Sequence, residues 1–206
     1  MKNIMIDLET LGTNSNATIL SIGAVYFDED RVYYNRQFYE KIDMNSCHQF
    51  GLTDDEETVK FWERQSAEAK AELMKDMRPL DEVLSKFYSF VEDKKSTKIW
   101  GNCCSFDNVI LRNAFYACDM KPPWFFWDDR SYRTLKNLFP NIKKTEFKGT
   151  RHKAIDDAIN QAEHAQWILR YIRHSNKINS YLISDLKLEK EKLINSEVNE
   201  IINLGE

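Results

Sequence analysis

The chain has 206 residues, 13% of them aromatic, and a formal net charge of −4. That length suits one compact domain with a sizeable core, and the acidic balance excludes a broad basic coat for nucleic acid, though not a narrow site that binds it with metal cations. No apolar run is long enough to span a bilayer, no basic region with a cleavage site opens the chain, and Cys47, Cys103, Cys104 and Cys118 form no CxxC pair, so buried free thiols in a reducing cytoplasm are expected.

Three strands come first, over residues 2–8, 18–28 and 31–42, with the turn signal Asp28-Glu29-Asp30 before the third. Connections this short favour an antiparallel meander. Thr53-x-x-Glu56 has the spacing of a capping box and opens a helix through Phe61 and Trp62. Leu80, Val83, Leu84, Phe87, Phe90 and Val91 recur at helical spacing after Pro79. A short buried strand follows at 98–102, then a helix with Ile110, Leu111, Ala114, Phe115 and Cys118 on one face. Residues 124–128 read as another short strand, 131–139 as a short helix, and Ala158, Ile159, Ala162, Ala165 and Leu169 mark the next helix. The order β-β-β-α-α-β-α-β-α-α predicts an α/β fold, a mixed sheet with helices packed on it. From about Asn176 the composition turns charged and helical, with Leu186, Leu193, Val198, Ile201 and Ile202 recurring. The expected organisation is a domain over 1–175 and a C-terminal helical extension over 176–206.

Three stretches carry candidate chemistry. In "MIDLETLGTN" (5–14), Asp7 and Glu9 are two apart in an apolar strand and so face the same side. Burying a carboxylate costs several kcal/mol unless it is paired or ligates a metal, and two together suggest Mg²⁺ or Mn²⁺, hard ions that take oxygen ligands. In "WGNCCSFDNVIL" (100–111), Asp107 lies where a loop enters a helix, a place where a capping Asp is also ordinary. In "RHKAIDDAINQA" (151–162), His152 precedes Asp157 by five residues. Five residues would put the two on different azimuths of one helix. His152 is therefore placed in a flexible loop and Asp157 in the helix, converging from different directions. No glycine-rich phosphate loop and no G-x-S-x-G motif is present.

With "DLETLG", "SFDNVIL" and "HKAIDDA" in this order, the sequence resembles the DnaQ-like, or DEDDh, 3′→5′ exonuclease superfamily over residues 3–175. Within it, "TVKFWERQSAEAK" (58–70) and "DRSYRTL" (129–135) make it most similar to the RNase T-like group that includes the phage exonuclease A type. The resemblance implies a ribonuclease H-like fold and a metal-dependent exonuclease acting from the 3′ end, with single-stranded DNA as the first expectation. A 3′→5′ exoribonuclease and a catalytically silent nucleic-acid-binding module of the same fold are the alternatives. It implies two divalent ions, Mg²⁺ or Mn²⁺, with Asp7 on both, Glu9 and Asp157 on the first and Asp107 on the second, and His152 as general base. Among substrate contacts it implies Thr10, Leu11 and Gly12 against the terminal nucleotide, with Phe106 beside them. Trp62 and Trp127 are candidates to stack on bases or to pack in the core, and Arg130 and Arg133 to hold phosphate or form surface salt bridges. Relatives in this group are often dimers and the extension's apolar positions need a partner surface, so a homodimer is expected, with no membrane partner.

Overall fold

The computed structural model describes residues 3–65, 67–144 and 146–203. Side chains 66–69 and those from 193 onward lie outside that description, and with them the expectations for Leu193, Val198, Ile201 and Ile202. Five strands form one sheet: β1 (Asn3–Thr10), β2 (Ile19–Phe27), β3 (Val32–Lys41), β4 (Lys98–Gly101) and β5 (Asp129–Ser131), in the order β3-β2-β1-β4-β5. β1–β2 and β2–β3 pair antiparallel, while β4 runs parallel to β1 and β5 parallel to β4. This is the mixed, helix-flanked sheet expected. The helices are α1 (Met44–Gln49), α2 (Glu56–Glu63), α3 (Ala67–Leu73), α4 (Leu80–Phe90), α5 (Asp107–Ala117), α6 (Tyr132–Leu138) and α7 (Ala154–Asn203).

Alternation along β1 decides which face Asp7 and Glu9 occupy. Ile4, Ile6 and Leu8 enter the main core with Ile22 and Ala24 of β2, Leu84 and Phe87 of α4, and Ile110 and Phe115 of α5. A strand's side chains point to alternate faces, so Asp7 and Glu9 lie on the other face. β1 runs to Thr10, two residues past the expected end, and therefore includes Glu9.

Three local readings change. α1 and α3, six and seven residues long, were not expected from the sequence. The cap of α2 is Asp55, whose carboxylate accepts from the Glu57 amide. Thr53 is unavailable for that role because its backbone bridges to the 16–18 segment: its amide donates to Asn16 and its carbonyl accepts from Thr18. The strand expected at 124–128 is a 3₁₀ turn over Phe126–Asp128, and the strand begins at Asp129. Ion pairs set that register: Lys98 of β4 engages Asp128, and Arg112 of α5 engages Asp129.

The chain divides into two compact units, one through Ile168 and one from Leu169 onward. No helix among the described residues is long and apolar enough to cross a membrane.

Candidate active site

β4 pairs only with the first half of β1, matching Asn3–Met5 with Lys98–Trp100. Beyond that, β1 loses its neighbour on this side, and Asp7 and Glu9 stand at the opening. Two glycines let helices approach them. Gly23 is directly opposite Asp7 on β2, and a Cβ there would lie 2.2 Å from the Ala154 carbonyl carbon. Its bare backbone lets the first turn of α7 lie on the sheet, with Asp157 in that turn. A Cβ on Gly101 would lie 2.5 Å from Asn108 Oδ1 and 2.8 Å from Asp107 Cβ, so glycine lets the start of α5 close over the end of β4.

The ligand atoms of Asp7, Glu9 and Asp157 lie within 4.8 Å of one another. Burial, then the charges of Asp107, Glu9 and Asp157, hold the Asp7 carboxyl well above its ordinary range. Burial, then Asp157 and Asp107, push Glu9 up to about 8. Asp107, only 3% exposed, is pushed by burial to about 6, against the pull of backbone amides at Cys103, Leu8, Asn102 and its own N–H. Burial raises Asp157 as well, opposed first by the His152 amide, which donates to its Oδ2 at 3.0 Å.

His152 has a positive φ of 60°, a conformation few non-glycine residues adopt. Its ring meets Phe61 and Trp62 edge-on at centroid distances of 5.5 and 6.3 Å. The loop expected before α7 is present and is hydrogen-bonded to that helix. The Asn160 amide accepts from the Lys148 N–H at 3.0 Å and donates to the Lys148 carbonyl at 2.7 Å. The Thr150 amide donates to Asp156 Oδ2 at 2.9 Å.

A cavity of about 430 Å³ is lined by Asp7, Glu9, Asp107, Asp157 and His152, together with Phe106, Arg133 and others. A second, of about 410 Å³, shares Glu9 and Phe106 and is bounded by Thr10, Gly12, Phe61 and Trp62. The structure does not bring every expected contact there. The Leu11 side chain packs with Leu20, Trp62 and Leu73 in a separate apolar cluster, because its own backbone is bonded to Thr18 and Asp55 and fixes that direction. Trp62 is 6% exposed and its Nε1 donates to the Thr10 carbonyl at 2.9 Å, which makes it a wall of the second cavity rather than an open stacking platform. Arg130 lines neither cavity; its guanidinium donates to the Trp127 and Asp129 carbonyls. Trp127 is exposed and stacked on Phe125 at 4.6 Å, also outside both cavities. The sequence reading missed Asn102, Cys103 and Gln161, which line the first cavity. For Gln161 a signal existed: it is four residues beyond Asp157, hence on the same helical face.

Solved nucleases share this fold. Cell-death related nuclease 4 (CRN-4) is 15% identical with a TM-score of 0.57, over 82% of this chain and 64% of that one. The nuclease domain of 3′hExo, a DEDDh family member bound to rAMP, is 13% identical with a TM-score of 0.54, over 82% and 92%. Zinc-bound E. coli ExoI in its ssDNA complex is 18% identical with a TM-score of 0.54, over 89% and 43%. This chain thus spans less than two thirds of CRN-4 and less than half of ExoI. No curated protein matches the sequence. The family model for the 3′-5′ exoribonuclease Rv2179c-like domain matches residues 2–169, and with most of its length covered the chain belongs to that family.

Proposed function

We propose that this protein removes nucleotides from the 3′ end of single-stranded nucleic acid, with the cavity of Asp7, Glu9, Asp107, Asp157 and His152 as its active site. The observation that carries the reading is the convergence of three carboxylates from β1 and α7 within 4.8 Å, beside a fourth on α5 and a histidine lining the same cavity. The donor set fits divalent cations. It is all oxygen, as Mg²⁺ and Mn²⁺ require, and a cation relieves the burial and like-charge repulsion that raise these carboxyls. Asp7, Glu9 and Asp157 would hold such ions, with Asp107 completing the set. When bound, two such ions activate water and stabilise the charge that develops on the phosphate and the leaving oxygen.

The remaining roles belong to the chain's own groups. His152 accepts the proton of the attacking water, and its backbone bond to Asp157 keeps it beside the acid cluster. Arg133 holds a phosphate, a job suited to its planar fork of donors. Thr10, Gly12, Phe106 and Trp62 enclose the terminal nucleotide, with Leu11 supporting Trp62 from behind. The family description carries RNA, so RNA is proposed first, and single-stranded DNA is the alternative suggested by the phage-type resemblance.

Time courses on 3′- and 5′-labelled single strands of RNA and DNA, in Mg²⁺ and in EDTA, test this. Mononucleotides are expected from the 3′ end only, in Mg²⁺ only, and more slowly from a 3′-phosphate end. Cleavage of a circular single strand would contradict exonuclease action, and binding without any product would make the chain a silent module.

The four cysteines are free and suit a reducing cytoplasm, but only Cys47 is buried; Cys103, Cys104 and Cys118 are partly exposed, against the expectation of buried thiols. A homodimer is inferred because Ile178, Tyr181, Leu182, Ile183 and Leu186 of the second unit are each more than half exposed, and exposed apolar clusters favour association. Light scattering should give twice the chain mass at micromolar concentration; a monomer there removes the inference.

A further inference from the structure

α7 brings a second side chain to the acid cluster. Gln161 is one helical turn past Asp157, is 5% exposed, and lines the active-site cavity. Its Nε2 donates to Asp7 Oδ1 at 2.7 Å, across 154 residues of sequence. Around Asp7, Glu9 and Asp157 bring carboxyl oxygens; this amide brings an N–H donor. The other end of the amide is informative. Among the described residues Oε1 is buried with no hydrogen-bond partner, an unusual position for a buried polar atom in a glutamine kept for stability alone. Turning the amide over would bring Oε1 against Asp7 Oδ1, oxygen against oxygen. The observed orientation therefore keeps the donor on Asp7 and leaves the carbonyl unsatisfied.

We propose that Gln161 is a positioning residue for Asp7. A carboxylate is planar, so a donor held on Oδ1 sets where Oδ2 points, and thereby presents Asp7 in register with Glu9 and Asp157. This rests on the metal-site reading above. It adds that a neutral side chain outside the acid set controls how well that set holds an ion.

Two substitutions test it. Gln161→Met keeps length and burial but removes the donor, and Gln161→Asn keeps the amide one methylene short of Asp7. Three measurements apply to each: Mn²⁺ binding to the EDTA-stripped protein by calorimetry, thermal unfolding in EDTA, and rate against Mn²⁺ concentration. Both variants should bind Mn²⁺ about 10–100-fold more weakly, the usual consequence of losing a partner of a metal-binding side chain. The rate curve should move to higher Mn²⁺ by the same factor, with melting in EDTA close to wild type. Gln161→Met with wild-type Mn²⁺ affinity overturns the proposal, and so does an affinity loss that merely follows a fall in the EDTA melting temperature. Mn²⁺ binding that survives Asp7→Asn unchanged overturns the metal-site reading instead, and this inference with it.

Discussion

Asp7→Asn is expected to abolish hydrolysis at every Mg²⁺ concentration while raising the melting temperature of the metal-free protein. Both effects come from one cause. Asp7 shares its opening with Glu9, Asp107 and Asp157, and burial and repulsion hold its carboxyl above the ordinary range. Replacing it removes a carboxyl that the metal-free fold must accommodate and, in the proposed active site, a metal ligand. In a domain of this size, each 1 kcal/mol of relief raises Tm by about 2–4 °C.

The same shifts set a pH dependence. Glu9 titrates at about 8 against an ordinary 4.5, and Asp107 at about 6 against 3.8. A carboxyl whose folded pKa is raised binds its proton more tightly in the native state than in the unfolded chain. The stability it contributes is fully present below the ordinary carboxyl range and is lost as pH rises through the folded value. This cluster therefore lowers the EDTA melting temperature progressively between about pH 4 and pH 8. Mg²⁺ should raise Tm more at pH 8 than at pH 5, and Asp7→Asn should flatten the slope in EDTA. Wild-type turnover of Asp7→Asn in saturating Mg²⁺ would remove the metal assignment.

The second large effect is expected from His152→Ala, a loss of about 10²–10⁴ in kcat. Mn²⁺ affinity and substrate KM should stay close to wild type, because the bond to Asp157 comes from the His152 backbone amide, which alanine retains. The positive φ at this position favours small polar side chains over alanine, so His152→Asn is the companion variant. It keeps the turn, lacks the imidazole, and should lose the same rate with less change in Tm. If His152 were only a surface residue, either substitution would shift stability by about 0.5 kcal/mol at most and leave the rate alone. Either variant within about threefold of wild-type kcat returns His152 to that role.

How much of this protein its sequence determines can be read element by element. The meander of β1, β2 and β3 was legible because alternation and short connections are local signals. So were α4 and α5, whose apolar positions recur within a few turns. The same alternation put Asp7 and Glu9 on one face, and the three motifs pointed to a nuclease family without any knowledge of distance. Tertiary structure decided what lies between distant segments. β5 begins at Asp129 because Lys98 and Arg112 pair with the acidic residues, and the aromatic run just before it is left exposed. Thr53 forgoes the cap because its backbone is held by the 16–18 segment. Leu11 turns into an apolar cluster and Arg130 onto nearby carbonyls, so neither reaches the cavity that their motifs suggested. The approach of α7 and α5 to β1 depends on Gly23 and Gly101, residues with no chemistry of their own, and the Gln161–Asp7 bond joins opposite ends of the domain. Periodicity records which face a residue occupies; which side chain meets it there is settled only when the sheet and its helices close.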